Sequence, residues 1–92
     1  MENYFQMHMD PKEVGAISNL GLAHIGDGVF ELLTRSWLCG HGRLTVNRMH
    51  KETIALVKAT GLEALFGALY LLGRQERINE LFVTVMEELY GI

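Results

Sequence analysis

The chain is poor in the residues that mark several large protein classes. It has one cysteine, Cys39, so no internal disulfide can form. A disulfide-stapled secreted domain is excluded, and a reducing, cytoplasmic setting is expected. It has one proline, Pro11, which leaves nearly continuous helix open to it. Its longest uncharged stretches, Val14–Gly26 and Ala64–Gly73, fall short of the ~18 apolar residues that a membrane span needs. The first residues, Met1 to Gln6, carry no basic segment and do not read as a signal peptide. They read either as a native tail or as a protease-site scar lacking one leucine. Basic residues are also scarce: eight Lys and Arg against eleven Asp and Glu give a net charge of −3. Taken alone, that balance argues against a bulk polyanion binder.

What is present is one small helical domain. At 92 residues and 49% apolar composition the chain can build one core and no second one. Asp10-Pro11-Lys12-Glu13 supplies an N-cap, a proline at the first helical position and an acid in the first turn, so a short helix starts there. Residues 1–17 are expected to be a tail plus this helix, and 18–92 a single domain. Ser18 offers a fresh cap. From Leu20, the apolar residues Ala23, Ile25, Val29, Phe30, Leu32, Leu33, Trp37 and Leu38 recur at helical spacing until Gly40-His-Gly42. Thr45 opens a further helix to about Ala59, with Arg48, His50, Lys51, Glu52 and Lys58 on its polar side. A helix over about Leu62–Leu72 is apolar nearly all round and is expected to be buried or to face a partner. Gly73 ends it. A last helix over Gln75–Tyr90 carries a stripe of Ile78, Leu81, Phe82, Val85, Met86 and Leu89. No strand pattern is visible, and the fold class expected is all-α.

The long helix from Ser18 contains Gly21, Gly26 and Gly28. Each costs up to ~1 kcal/mol relative to Ala inside a helix. Three in eight positions point to close approach of another helix or a backbone kept clear for a ligand; a poorly formed helix is the competing explanation.

Two acids stand apart from the solvated majority. Asp27 lies between two glycines in an apolar run, and Glu63 opens the most hydrophobic helix. A carboxylate in apolar surroundings is costly unless it is paired or binds a metal. Asp27 and Glu31 share a helix face, with Arg35 placed to pair with Glu31. If the two helices are neighbours, Asp27 and Glu63 meet, and two carboxylates at one cavity are the usual protein share of a magnesium site. On residues alone the alternatives stay open: Asp27 held by nearby donors, Glu63 favoured by its helix dipole. His8, His24, His41 and His50 have no zinc spacing. His24 either lines the Asp27 cleft or is a satisfied structural histidine.

Leu20-Gly-Leu-Ala-His-Ile-Gly-Asp-Gly-Val-Phe-Glu31 resembles the signature helix of ribonuclease III catalytic domains. Leu62-Glu-Ala-Leu-Phe-Gly-Ala-Leu-Tyr-Leu71 resembles the late helix of that fold, which carries the second essential acid. Asn47-Arg-Met-His-Lys51 with Ala55-Leu-Val-Lys-Ala59 fits the helix between. Ordinary ribonuclease III has a Glu where this chain has Ala23 and an Asp where it has Thr60. Both replacements, with Glu31 and the His50-Lys51 pair, match the short form called Mini-ribonuclease III. The resemblance implies an all-α homodimer that cleaves double-stranded RNA with Mg2+, Mn2+ being a possible substitute. It also implies a role in maturing the large-subunit ribosomal RNA precursor. Asp27 and Glu63 would be the catalytic, metal-holding carboxylates, and Arg48, His50, Lys51 and Lys58 candidate RNA contacts. The family carries several dozen further, partly basic residues where this chain passes from Ala59 to Thr60. An internal segment is therefore expected to be missing here, and the −3 charge ceases to argue against RNA. The alternative expectation is a non-catalytic helical dimerisation module, a degenerate or shortened relative.

Overall fold

In a computed structural model, the structure describes residues 2–42, 55 and 61–90, without the side chains of the last two. Among them every regular element longer than a turn is α-helix and none is strand. The elements are α1 (Pro11–Gly15), α2 (Asn19–Gly40), α3 (Glu63–Leu71) and α4 (Gln75–Tyr90). Apart from Ala55, which is helical, the helix expected over Thr45–Ala59, with Arg48, His50, Lys51 and Lys58, lies outside the described residues, as does the Ala59–Thr60 junction.

Local chemistry sets the boundaries. Asp10 Oδ1 accepts from Lys12 N at 2.8 Å ahead of Pro11, and Ser18 Oγ accepts from Gly21 N at 3.0 Å ahead of α2. Each satisfies one donor that a helix start leaves without an internal partner. At the far end of α3, Arg74 N donates to Leu69 O (2.8 Å) and Gly73 N to Tyr70 O (3.0 Å). This paired closure requires a left-handed residue between, and Gly73 supplies it at φ +80°. The chain turns there into α4.

Packing is organised by one face of α2. Gly26 sits against the backbone carbonyl of Glu63, and Gly67 against the backbone of Leu22 and Gly26. The order is reversed between the helices, so α2 and α3 run in opposite senses with their backbones touching. One turn further along α2, Phe30 stacks on Phe66 of α3 (centroids 5.2 Å, 19°) and meets Phe82 of α4 edge-on (5.8 Å, 75°). Met86 completes this buried cluster, with Leu33, Trp37, Leu62, Leu81 and Val85 around it. Aromatic contacts of this kind add roughly 0.5–1.5 kcal/mol each beyond burial. Of the α4 stripe read from the sequence, Phe82 and Met86 are buried in this core and Leu81 and Val85 pack half-buried against it; Ile78 is also buried, and the Leu89 side chain lies outside the described residues.

The apolar pattern of α2 does not translate into burial at every position. Leu20 and Leu32 fit a helical apolar pattern but are 83% and 54% exposed. The packed row runs 22, 26, 30, 34, 38, and residues two positions off it point away from the partner helices. Thr34, in that row, is fully buried. Its hydroxyl has no hydrogen-bond partner among the described residues.

The residues ahead of α1 are also part of the fold. Met9 N donates to Leu71 O at 2.7 Å, and Gln75 Nε2 to Phe5 O at 2.8 Å. Gly73 leaves room for Met7 and His8, which stand where its Cβ would be.

The glycines separate cleanly by test. A Cβ on Gly26 or Gly67 would fall inside a backbone carbonyl that cannot yield. Gly26→Ala or Gly67→Ala is expected to cost roughly 3 kcal/mol or more, at the upper end for overpacking. Gly28 has nothing within 4 Å of a Cβ. Gly28→Ala is expected to raise stability by roughly 0.4–1 kcal/mol. Urea unfolding followed by circular dichroism measures all three. Thr34→Val, which removes a buried unsatisfied hydroxyl at nearly constant shape, is expected to stabilise by about 1 kcal/mol. A lower urea midpoint for that variant would show that the hydroxyl is satisfied.

Candidate functional site

The site grows from the α2–α3 contact. Gly26 meets the Glu63 backbone, and Asp27 is the next residue on α2. The one-residue step turns Asp27 about 100° away from the packed row, since a helix has ~3.6 residues per turn. Asp27 is therefore exposed, and the expectation that it lies in apolar surroundings is corrected. Its place in an apolar stretch of sequence does not translate into burial, because the neighbouring apolar residues pack on another side. Glu63, the first residue of α3, is half-buried. Leu62 precedes it without a side-chain cap, so the helix start relies on Glu63 as its one acid in the first turn. The backbone contact thus brings Glu63 against the residue that precedes Asp27.

Asp27 belongs to a second row of α2, at positions 23, 27, 31 and 35. Arg35 Nη2 lies 3.9 Å from Glu31 Oε2, with both side chains about half exposed. A solvated pair at that separation contributes little to stability. Its effect here is to occupy Glu31 with a partner on its own helix.

Beside Asp27 is an open hollow lined by Ser18, Leu20, Gly21, Ala23 and His24 as well as Asp27. Leu20 is one of its walls. His24 lies one turn before Asp27, is exposed, and has no hydrogen bond among the described residues. The cleft-lining alternative for His24 therefore stands, and the satisfied structural one does not. Among the described residues no group of three or more His, Cys, Asp or Glu is gathered to hold a metal. Asp27 and Glu63 are carboxylates on the two helices that meet at this contact. That donor set suits a hard cation such as magnesium, which takes one or two protein carboxylates and completes its shell with water and phosphate oxygens.

Cys39 is exposed and free. His41 stacks on Trp37 (centroids 3.9 Å), and its Nδ1 lies 2.7 Å from Trp37 O, which secures the end of α2 rather than a site. Among the described residues no helix is long and apolar enough to cross a membrane.

Comparison with known proteins gives two informative similarities. The chain is 31% identical, over an alignment of 121 positions, to Mini-ribonuclease 3 of Thermoanaerobacter sp. (strain X514), covering 79% of this chain and 85% of that protein. It is 26% identical over 121 residues to Mini-ribonuclease 3 of Clostridium tetani (strain Massachusetts / E88), covering 82% and 80%. Both alignments are longer than the 92 residues of this chain, so each relative carries residues with no counterpart here. No protein-family model matches the chain. No solved structure matches it.

Proposed function

The chain belongs to the Mini-ribonuclease 3 family, and from that premise we propose that it is an endoribonuclease that cleaves double-stranded RNA with Mg2+, or Mn2+ in its place. The observation that supports this reading is the seating of Gly26, the residue before Asp27, on the backbone of Glu63. Asp27 and Glu63 would hold the ion. Bound there, it would supply charge neutralisation at the scissile phosphate and a more acidic water.

The chain's own residues do the positioning. The α2–α3 backbone contact fixes where each carboxylate begins, and α3, locked by the Gly73 turn, fixes the direction from which Glu63 approaches. Asp27, being exposed, is reachable by a bulky substrate without local opening. Duplex RNA is read mainly through shape, phosphates and 2′-hydroxyls, which an open edge accommodates better than a closed pocket. Arg48, His50, Lys51 and Lys58 are proposed to contact phosphates. A homodimer, a cytoplasmic location and the large-subunit ribosomal RNA precursor as substrate complete the proposal.

One observation favours a second reading. The relatives carry residues that this chain lacks. A shortened relative would retain the helical assembly as a non-catalytic dimerisation module, without metal at Asp27. Calorimetric titration with magnesium or manganese separates the two, since only the nuclease binds the ion through Asp27.

Asp27→Asn and Glu63→Gln are each expected to lower duplex-RNA cleavage by at least about 10²-fold, as loss of a transition-state electrostatic contact does, with helical circular dichroism unchanged. Cleavage at the wild-type rate in either variant would remove that residue from the site.

A further inference from the structure

Of the histidines within the described residues, two are engaged with neighbours. His41 is stacked and bonded at Trp37, and His8 lies against Gly73. His24 is exposed as they are and has no hydrogen bond among the described residues; what sets it apart is that it lines the same hollow as Asp27.

We propose that His24 is a substrate-contacting residue that donates a hydrogen bond to a phosphate oxygen of duplex RNA lying across the hollow. This rests on the ribonuclease reading above. Residues three apart on a helix stand roughly 5–6 Å apart at Cβ. A phosphate held by His24 is therefore a near neighbour of the one at Asp27.

The hollow's composition explains why such a donor is needed. Leu20, Gly21 and Ala23 contribute no side-chain donor. The Gly21 N–H is already given to Ser18 Oγ. Asp27 presents negative charge, which repels a polyanion in the absence of a cation. His24 and the Ser18 hydroxyl are the side chains of the hollow that can donate, and the imidazole reaches further than the hydroxyl. A metal-ligand role fits less well. Magnesium takes oxygen donors, and the described residues gather no histidine-containing metal cluster. Phosphate contacts of this type position a nucleic acid without selecting its sequence.

The test uses the full chain as wild type, His24→Ala and His24→Gln. Affinity for a duplex RNA is measured by fluorescence anisotropy with calcium in place of magnesium. Cleavage kinetics are measured with magnesium, and mass by light scattering. His24→Ala is expected to raise Kd and KM about tenfold, the loss of one charge-assisted hydrogen bond, with kcat within about twofold. His24→Gln keeps an N–H donor and is expected to recover most of the affinity. An unchanged Kd for His24→Ala overturns the proposal, as does a loss that Gln does not restore. So does an altered mass for His24→Ala, which would place His24 between copies of the chain. If wild type cleaves and only the His24 variants fail to differ, the ribonuclease reading survives alone. If wild type neither binds nor cleaves duplex RNA, both readings fall together.

Discussion

Everything else in the molecule depends on two helices approaching until their backbones touch. Gly26 and Gly67 make that possible, each facing main-chain atoms of the opposite helix. Glycine inside a helix costs up to ~1 kcal/mol relative to Ala, and α2 and α3 spend two of them on one crossing. The return is positional. Side-chain packing fixes helices through flexible groups that adjust, whereas touching backbones leave little play along the axis. Asp27 and Glu63 inherit that precision because each is adjacent to, or part of, the contact itself.

Around this crossing the core is built outward. Phe30 is the hinge of the arrangement, reaching Phe66 on one side and Phe82 on the other. It lies one turn beyond Gly26 on the same row, so the close approach and the aromatic cluster are consecutive layers of a single interface. Small residues bring the helices together at one level, and large ones fill the space where α4 joins at the next. Interiors packed to this density do not absorb extra volume. On the neighbouring row Asp27 and Arg35 are exposed, and Ala23 and Glu31 are half-buried.

Much of this was legible in the residues. The caps at Asp10 and Ser18 and the stop at Gly73 marked helix boundaries because each works through a local hydrogen bond or dihedral. The α4 stripe was legible because its polar and apolar sides are sharply separated. The crowding of glycines in α2 announced a close approach, which the structure places at Gly26, while Gly28 faces open space. The orientation of α2 was not legible. Its apolar residues spread around more than one side, so composition could not tell that Leu20 and Leu32 point outward while Thr34 points in. For the same reason Asp27 looked enclosed and is exposed. The partner glycine, Gly67, and the docking of residues ahead of α1 depend on contacts distant in sequence, for which a local pattern carries no signal.

The bond from the Gln75 amide to the Phe5 carbonyl joins residues 70 positions apart. A contact of that span cannot assist the first helical turns, because the loop it closes contains α1, α2 and α3. Closing such a loop early would cost chain entropy with nothing yet gained in return. It is therefore expected to form late, once α3 and the start of α4 have brought Leu71, Gly73 and Gln75 together. Interactions absent from the folding transition state act mainly on the rate of unfolding. The segment ahead of α1 thus acts as a clasp, contributing to how long the assembled helices stay together more than to how quickly they find one another.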